Sequence, residues 1–331
     1  MRRSRLSMVL CVLLTVSCDG STADSNAMAG STQSVDSSAG ASSGPAVPGA
    51  ATSASSRLVP ATAGIDRVAE LVMDPRRDSL PRDTAMASMI RRGYDIMRDT
   101  RRHAPEYAGN AMSCANCHLN VGQKAEAWPL VGVATLFPQY RARSARLITL
   151  EDRIRDCFER SINGKAPPYG SPELLALSAY INWIGTGLPA GKEPAWRGKN
   201  TLAKDVQVAI ENLDPVAGKA SYERNCVACH GVDGQGVNLG AVHPGPLWGP
   251  QSWNDGAGAA RVYTLAGFIR YAMPLTAPGS LNDAEAQNLA AYIASQARPV
   301  FMHKERDYRD GRIPVDAVYY TQRYRTNPLV R

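Results

Sequence analysis

The chain has 331 residues and a formal net charge of +7, with three positive charges (Arg2, Arg3, Arg5) in its first five residues. At ~100–200 residues per domain the length suits two domains, and so small a basic excess does not suggest a nucleic-acid binder. The only long apolar run, Leu6 to Val16, is shorter than the ~20 residues of a membrane-spanning helix, which excludes a multi-span membrane protein. Four Phe, five Trp and 13 Tyr against 28 Gly and 22 Pro are a thin endowment for two side-chain cores, so something else is expected to fill them. Seven cysteines are too few for a disulfide scaffold, and their spacing carries the information.

In chain order, residues 1–18 run basic, then apolar, then small before Cys18, the layout of a secretory signal. Leu14-Thr15-Val16-Ser17-Cys18 also resembles a bacterial lipobox, which implies a lipid on Cys18; Asp19 resembles an inner-membrane retention signal. The expected place is therefore the periplasm, with a lipid anchor as the only membrane contact. Residues 19–59 are Ser, Ala, Gly, Thr and Pro with almost no large apolar side chain, the composition of a flexible tether.

Cys114-Ala115-Asn116-Cys117-His118 and Cys226-Val227-Ala228-Cys229-His230 both match C-x-x-C-H, the attachment signature of c-type haem. Two thiols three positions apart can bond the vinyl groups of one porphyrin, and the adjacent histidine then sits under the iron as its proximal ligand. Two covalent haems c are expected. A zinc site would need further ligands near each motif, and a redox C-x-x-C would need no histidine.

The chain repeats around these motifs: Tyr180 follows the first haem histidine by 62 residues and Tyr292 follows the second by 62. Ser171-Pro172-Glu173 and Asn282-Asp283-Ala284-Glu285 start the helices that carry these tyrosines. The pattern resembles two tandem class I cytochrome c domains, an all-α fold in which a terminal helix crosses an N-terminal one, here about Ala87–Met97 and Val216–Arg224. The haem would supply much of each core. A boundary with four Gly and two Pro lies between Gly185 and about Thr201. The domains are then 60–190 and 204–303, with a linker at 191–203 and an extension at 304–331.

Between His118 and His230 there is no other histidine, and between His118 and Met273 no methionine, so the first haem lacks the usual distal ligands. Cys157, a lysine or an empty position remain. Cys157 lies 39 residues past His118, and Met273-Pro274 supplies a methionine 43 residues past His230. The two positions correspond, which favours Cys157 and Met273 as the distal ligands; Met302, His243 and His303 are weaker candidates. The Pro246 carbonyl is the expected partner of the His230 ring. Thr149 with Asp152 caps a helix from Leu150 to Ile162 on which Arg153, Cys157 and Ser161 share a face. A thiolate beside a guanidinium can both ligate and react. Residues 141–160 hold six arginines; Arg141, Arg155 and Arg160 are expected to be solvated surface cations, whereas Arg153 belongs to the cysteine's face.

Tyr107-Ala108-Gly109-Asn110, the stretch from Arg153 through Cys157-Phe158 and Arg160-Ser161 to Asn163-Gly164, Leu247-Trp248-Gly249-Pro250 and Ala272-Met273-Pro274 together resemble the dihaem thiosulfate dehydrogenases, relatives of the haem-thiolate subunit of the sulfur-oxidising Sox system. The resemblance runs from about Ile90 to His303. It implies oxidation of two thiosulfates to tetrathionate, a first iron held by His118 and Cys157, and active-site roles for Arg143, Arg153 and Ser161. Cys157 would leave the iron, bond the sulfane sulfur of one thiosulfate and be released by a second. Electrons would pass through the second haem to another periplasmic cytochrome or an oxidase component. Some members carry a lysine before the methionine that exchanges with it; here that position is Ala272, so His230 and Met273 are expected in both redox states. The competing readings are a non-catalytic electron carrier and the same site working as a tetrathionate reductase. The basic tail from Lys304 matches no motif.

Overall fold

The computed structural model describes residues 57–321 apart from positions 68 and 241. The expected signal, Cys18 and nearly all of the expected tether lie outside the described residues.

The first half opens on helix α1 (Thr84–Arg98), capped by the Asp83 carboxylate, which accepts from the Ala85 and Met86 amides. The single turn α2 (Thr100–His103) leads to the first haem motif and to α3 (Leu119–Gly122), where Asn120 and Val121 are left-handed. A hairpin of β1 (Gln139–Arg141) and β2 (Arg146–Ile148) precedes α4 (Leu150–Arg160) and α5 (Pro172–Ile184). The second half repeats the plan with α6 (Pro215–Asn225), α7 (Val227–His230) carrying the second motif, α8 (Val262–Ala272) and α9 (Asp283–Ala294). Among the described residues, no helix is long and apolar enough to cross a membrane.

Each half is organised by one helix crossing made possible by a glycine. A Cβ on Gly93 of α1 would stand 2.0 Å from the Ala176 carbonyl oxygen of α5, and a Cβ on Gly218 of α6 would stand 2.0 Å from that of Asn288 on α9. Only hydrogen at these positions lets the backbones meet, and the tyrosines of the repeat, Tyr180 and Tyr292, pack beside them. The tandem arrangement of two cytochrome c units is thus visible in the packing.

The hairpin departs from the all-α expectation. Its strands pair antiparallel with Arg141 opposite Arg146, and Ala145, at φ +50°, closes the turn. Three-residue strands are too short to write an alternating pattern in sequence.

The boundary segment is packed down: Trp196 Nε1 donates to the Val131 carbonyl at 3.0 Å, and Leu202 is buried. One hydrophobic core continues from Ile90 and Leu177 in the first half to Tyr222 and Leu289 in the second.

Candidate active site and haem-binding sites

The first motif sits on a tight turn closed by Ser113 and Asn116, and Thr100 Oγ1 lies 3.5 Å from Cys114 Sγ. His118 Nδ1 is 2.6 Å from the Trp128 carbonyl oxygen, which fixes the tautomer and leaves Nε2 for a metal. Burial pushes the imidazole down to about 4; the Trp128 carbonyl opposes this and Arg153 reinforces it, so the ring is neutral, the form that ligates iron. Trp128 is held at φ +50°, a region that costs a bulky residue about 1–3 kcal/mol. In that pose its ring meets Phe268 of α8 at 4.5 Å, so one residue touches both halves of the site.

Helix α4 delivers the cysteine. Thr149 and Asp152 form its capping box, and Asn163, at φ +48°, turns the chain away after Ser161. The helix so aligned presents Arg153 and Cys157 one turn apart, with Arg153 Nη1 donating to Cys157 Sγ at 3.0 Å. Burial pushes the Cys114 thiol up to about 11 and that of Cys117 up to about 12, and Cys157 is close enough to add to both. The thiol of α4 therefore lies within electrostatic reach of the first haem motif.

Around it the arginines gather. Arg141 is held below the guanidinium range first by Arg153, then by burial and by Arg143, so it lies within electrostatic reach of both. Arg143 Nη1 donates to the Gly256 carbonyl at 2.8 Å. Asp156 is the nearby carboxylate; burial works to raise it, but Arg160 and Arg153 hold it lowered and ionised. The Arg141–Arg143–Arg153 cluster keeps a positive excess suited to an anion with several oxygens.

One cavity of about 860 Å³ runs along both motifs, lined by Cys117 and Trp128 at the first and by Cys226, Cys229, His230 and Met273 at the second, with the apolar side chains of Leu265 and Leu289. The His230 ring nitrogen Nδ1 is buried without a hydrogen-bond partner. Burial lowers His230, with the nearby Gly245 backbone opposing it, and the hydrogen bond expected from the Pro246 carbonyl is not made. Burial also pushes Cys226 up to about 12. Among the described residues no group of three or more His, Cys, Asp or Glu side chains is placed to hold a metal ion directly; each motif offers two thiols and one imidazole, the donor set of haem c. Met302 is 79% exposed and His303 faces Glu305, while the His243 carbonyl accepts from Asn116 Nδ2 at 2.7 Å.

The chain matches a family model described as SoxA/TsdA, cytochrome c domain, over residues 104–190, and another described as cytochrome C oxidase, cbb3-type, subunit III, over residues 214–293. It is 44% identical over 233 residues to the thiosulfate dehydrogenase of Allochromatium vinosum, covering 68% of this chain and 84% of that protein. The chain belongs to the thiosulfate dehydrogenase family. A second member, from Stutzerimonas stutzeri, is 40% identical over 68% of this chain and 72% of its own. Among solved structures, thiosulfate dehydrogenase TsdBA from Marichromatium purpuratum, in its as-isolated form, matches with a TM-score of 0.62 and 36% identity. That match covers 67% of this chain and 48% of the other, so the chain spans about half the length of that protein. Two cytochrome c domains imply covalently bound haem c.

Arg153 touches Cys157, Arg143 is held at the Gly256 carbonyl, and Ser161 ends α4, its amide donating to the Cys157 carbonyl at 2.8 Å. The expectation of surface cations at positions 141, 155 and 160 is corrected. Arg141, at the end of β1, is half-buried and within electrostatic reach of Arg153 and Arg143. Arg155 stacks over the Tyr169 ring at 3.9 Å with its Nε buried. Arg160 is only 5% exposed because Asp307, 147 residues away in sequence, binds both of its terminal nitrogens. Sequence reasoning counted these arginines but had no signal for their partners.

Proposed function

We propose that this chain couples two thiosulfates into tetrathionate at Cys157, with Arg141, Arg143 and Arg153 holding the anions. The observation that carries the reading is the Arg153–Cys157 contact at 3.0 Å inside a cluster of arginines. Holding two dianions ~5 Å apart costs about 3 kcal/mol even at the dielectric of water, and guanidinium forks match sulfonate oxygens as they match phosphate.

Cys114, Cys117 and His118 would hold one haem, with Cys157 as the distal ligand; Cys226, Cys229 and His230 would hold the other, with Met273. When bound, the pair supplies two one-electron acceptors, the number a two-electron oxidation needs. The cysteine does the rest. Its thiolate bonds the sulfane sulfur of one thiosulfate, giving Cys–S–S–SO3⁻ with the release of two electrons. The sulfane sulfur of a second thiosulfate attacks that sulfur, forming the central bond of tetrathionate and returning the thiolate. Arg153 stabilises the cysteine sulfur both as nucleophile and as leaving group, and no proton has to move in either step.

The reading includes export to the periplasm, a lipid on Cys18 and delivery of electrons to a cytochrome or oxidase component, all motivated by sequence features at the N-terminus and by the second haem motif. The test is the visible spectrum of the oxidised holoprotein on adding sodium thiosulfate. Reduced haem bands and free tetrathionate are expected; an unchanged spectrum would leave only an electron carrier.

A further inference from the structure

The segment after His303 lies outside both matched family models, yet it reaches the arginines of the anion site. Asp307 accepts Arg160 Nη1 at 2.6 Å and Nη2 at 2.8 Å, a buried two-pronged pair. Arg160 Nη1 also donates to the Gly256 carbonyl at 3.1 Å, the same oxygen that takes Arg143 Nη1 at 2.8 Å. The next residue touches Arg143 directly. The Tyr308 amide donates to the Arg143 carbonyl at 2.6 Å, and the Arg143 guanidinium stands 5.9 Å from the Tyr308 ring centroid. Tyr308 adopts φ +52°, which side-chain-bearing residues seldom do, and Tyr320 braces it edge-on at 5.1 Å while donating to Asp307 Oδ2 at 2.5 Å.

We propose that residues 304–321 are a working part of the thiosulfate site: Asp307 and Tyr308 are positioning residues that fix the Arg143 guanidinium, from one side through Arg160 and the Gly256 carbonyl and from the other through the Tyr308 ring. The inference rests on the reading of this cluster as the thiosulfate site. The segment covers the core with Val318 and Tyr319, a task that calls for no contact with the site's arginines. It also places a carboxylate on the arginine beside Gly256 and a ring on the arginine of the site. An arginine on a short turn has many rotamers, and freezing them before the anion arrives reduces the ordering cost of binding.

The test is a double-mutant cycle on the full holoprotein: Tyr308→Leu and Asp307→Asn, each alone and with Arg143→Met. Turnover with thiosulfate, and calorimetric titration of the holoprotein with sodium thiosulfate after its haems have been reduced, are both read. In the wild-type background each substitution is expected to raise KM and Kd about fivefold while the haem spectrum is unchanged, and in the Arg143→Met background neither has a further effect. Equal effects in both backgrounds, or none in the wild type, would overturn the proposal. If Asp307→Asn loses its haems, the Tyr308→Leu cycle decides alone. If the wild type binds thiosulfate but turns over none, the catalytic reading fails while the titration still decides this one.

Discussion

Arg153 and Cys157 stand one turn apart on α4, with the guanidinium Nη1 donating to the thiol sulfur at 3.0 Å. The pairing is local, since residues four apart share a helix face, and the Thr149–Asp152 capping box fixes where that face begins. The charge of arginine and its fork are both used: one nitrogen on sulfur, the others free for sulfonate oxygens. Arg153→Lys keeps the charge and loses the fork, so kcat/KM for thiosulfate is expected to fall by roughly tenfold to a hundredfold with haem content unchanged. Wild-type kinetics in the lysine variant would remove the fork from the account.

Arg141 is the residue of the site that sequence reasoning misplaced. Its neighbours Arg153 and Arg143 repel it, a tension that a bound dianion relieves. Arg141→Gln is expected to raise KM for thiosulfate by about tenfold, and to weaken the rise of KM with added KCl seen in the wild type, because one screened attraction is gone. Steady-state kinetics from low to high ionic strength would show it; an unchanged KM would return Arg141 to the surface.

Much of this architecture could be read before the structure. Both C-x-x-C-H motifs, the terminal helices with Tyr180 and Tyr292 and the cap of α4 are written in residues close together in the chain, where turn and capping chemistry act. The helix expected over Val216–Arg224 spans Pro215–Asn225, and that expected over Ala87–Met97 spans Thr84–Arg98. What escaped is long-range. Nothing near Arg160 announces Asp307, and the hairpin that carries Arg141 is too short to show a pattern. The Trp128 carbonyl that holds His118 depends on a left-handed backbone at a residue type that gives no such signal.

The contact between Trp128 and Phe268 joins the two halves next to the first haem histidine. Phe268 is buried, and Phe268→Ala removes its ring from a packed interface at a cost of about 3–5 kcal/mol. Denaturant unfolding of the holoprotein is expected to show that loss. A change below 1 kcal/mol would mean the halves dock without this contact.

Acid should loosen the segment behind the first motif. Asp74 is a buried carboxylate that Arg76 holds down at about 2, with the Arg76 amide and Arg77 helping and burial opposing. Its neighbour Met73 exchanges two hydrogen bonds of 2.8 Å with the Gln123 side chain, tying this segment to the turn after His118. The folded carboxyl lies below its unfolded value, so its contribution is complete above about pH 4 and is lost as pH falls through about 2. The stability gap between wild type and Asp74→Asn is expected to be widest at neutral pH and to narrow between pH 4 and 2. A gap that stays constant across that range would contradict the assignment.

The most direct measurement is thiosulfate turnover by Cys157→Gly beside the wild type, with haem content quantified in both. The sulfur at position 157 is the atom on which the chemistry is placed, and neither haem is attached through it. Full haem loading with tetrathionate formation reduced to background is the expected result. A loaded glycine variant that still makes tetrathionate at the wild-type rate would contradict the central claim.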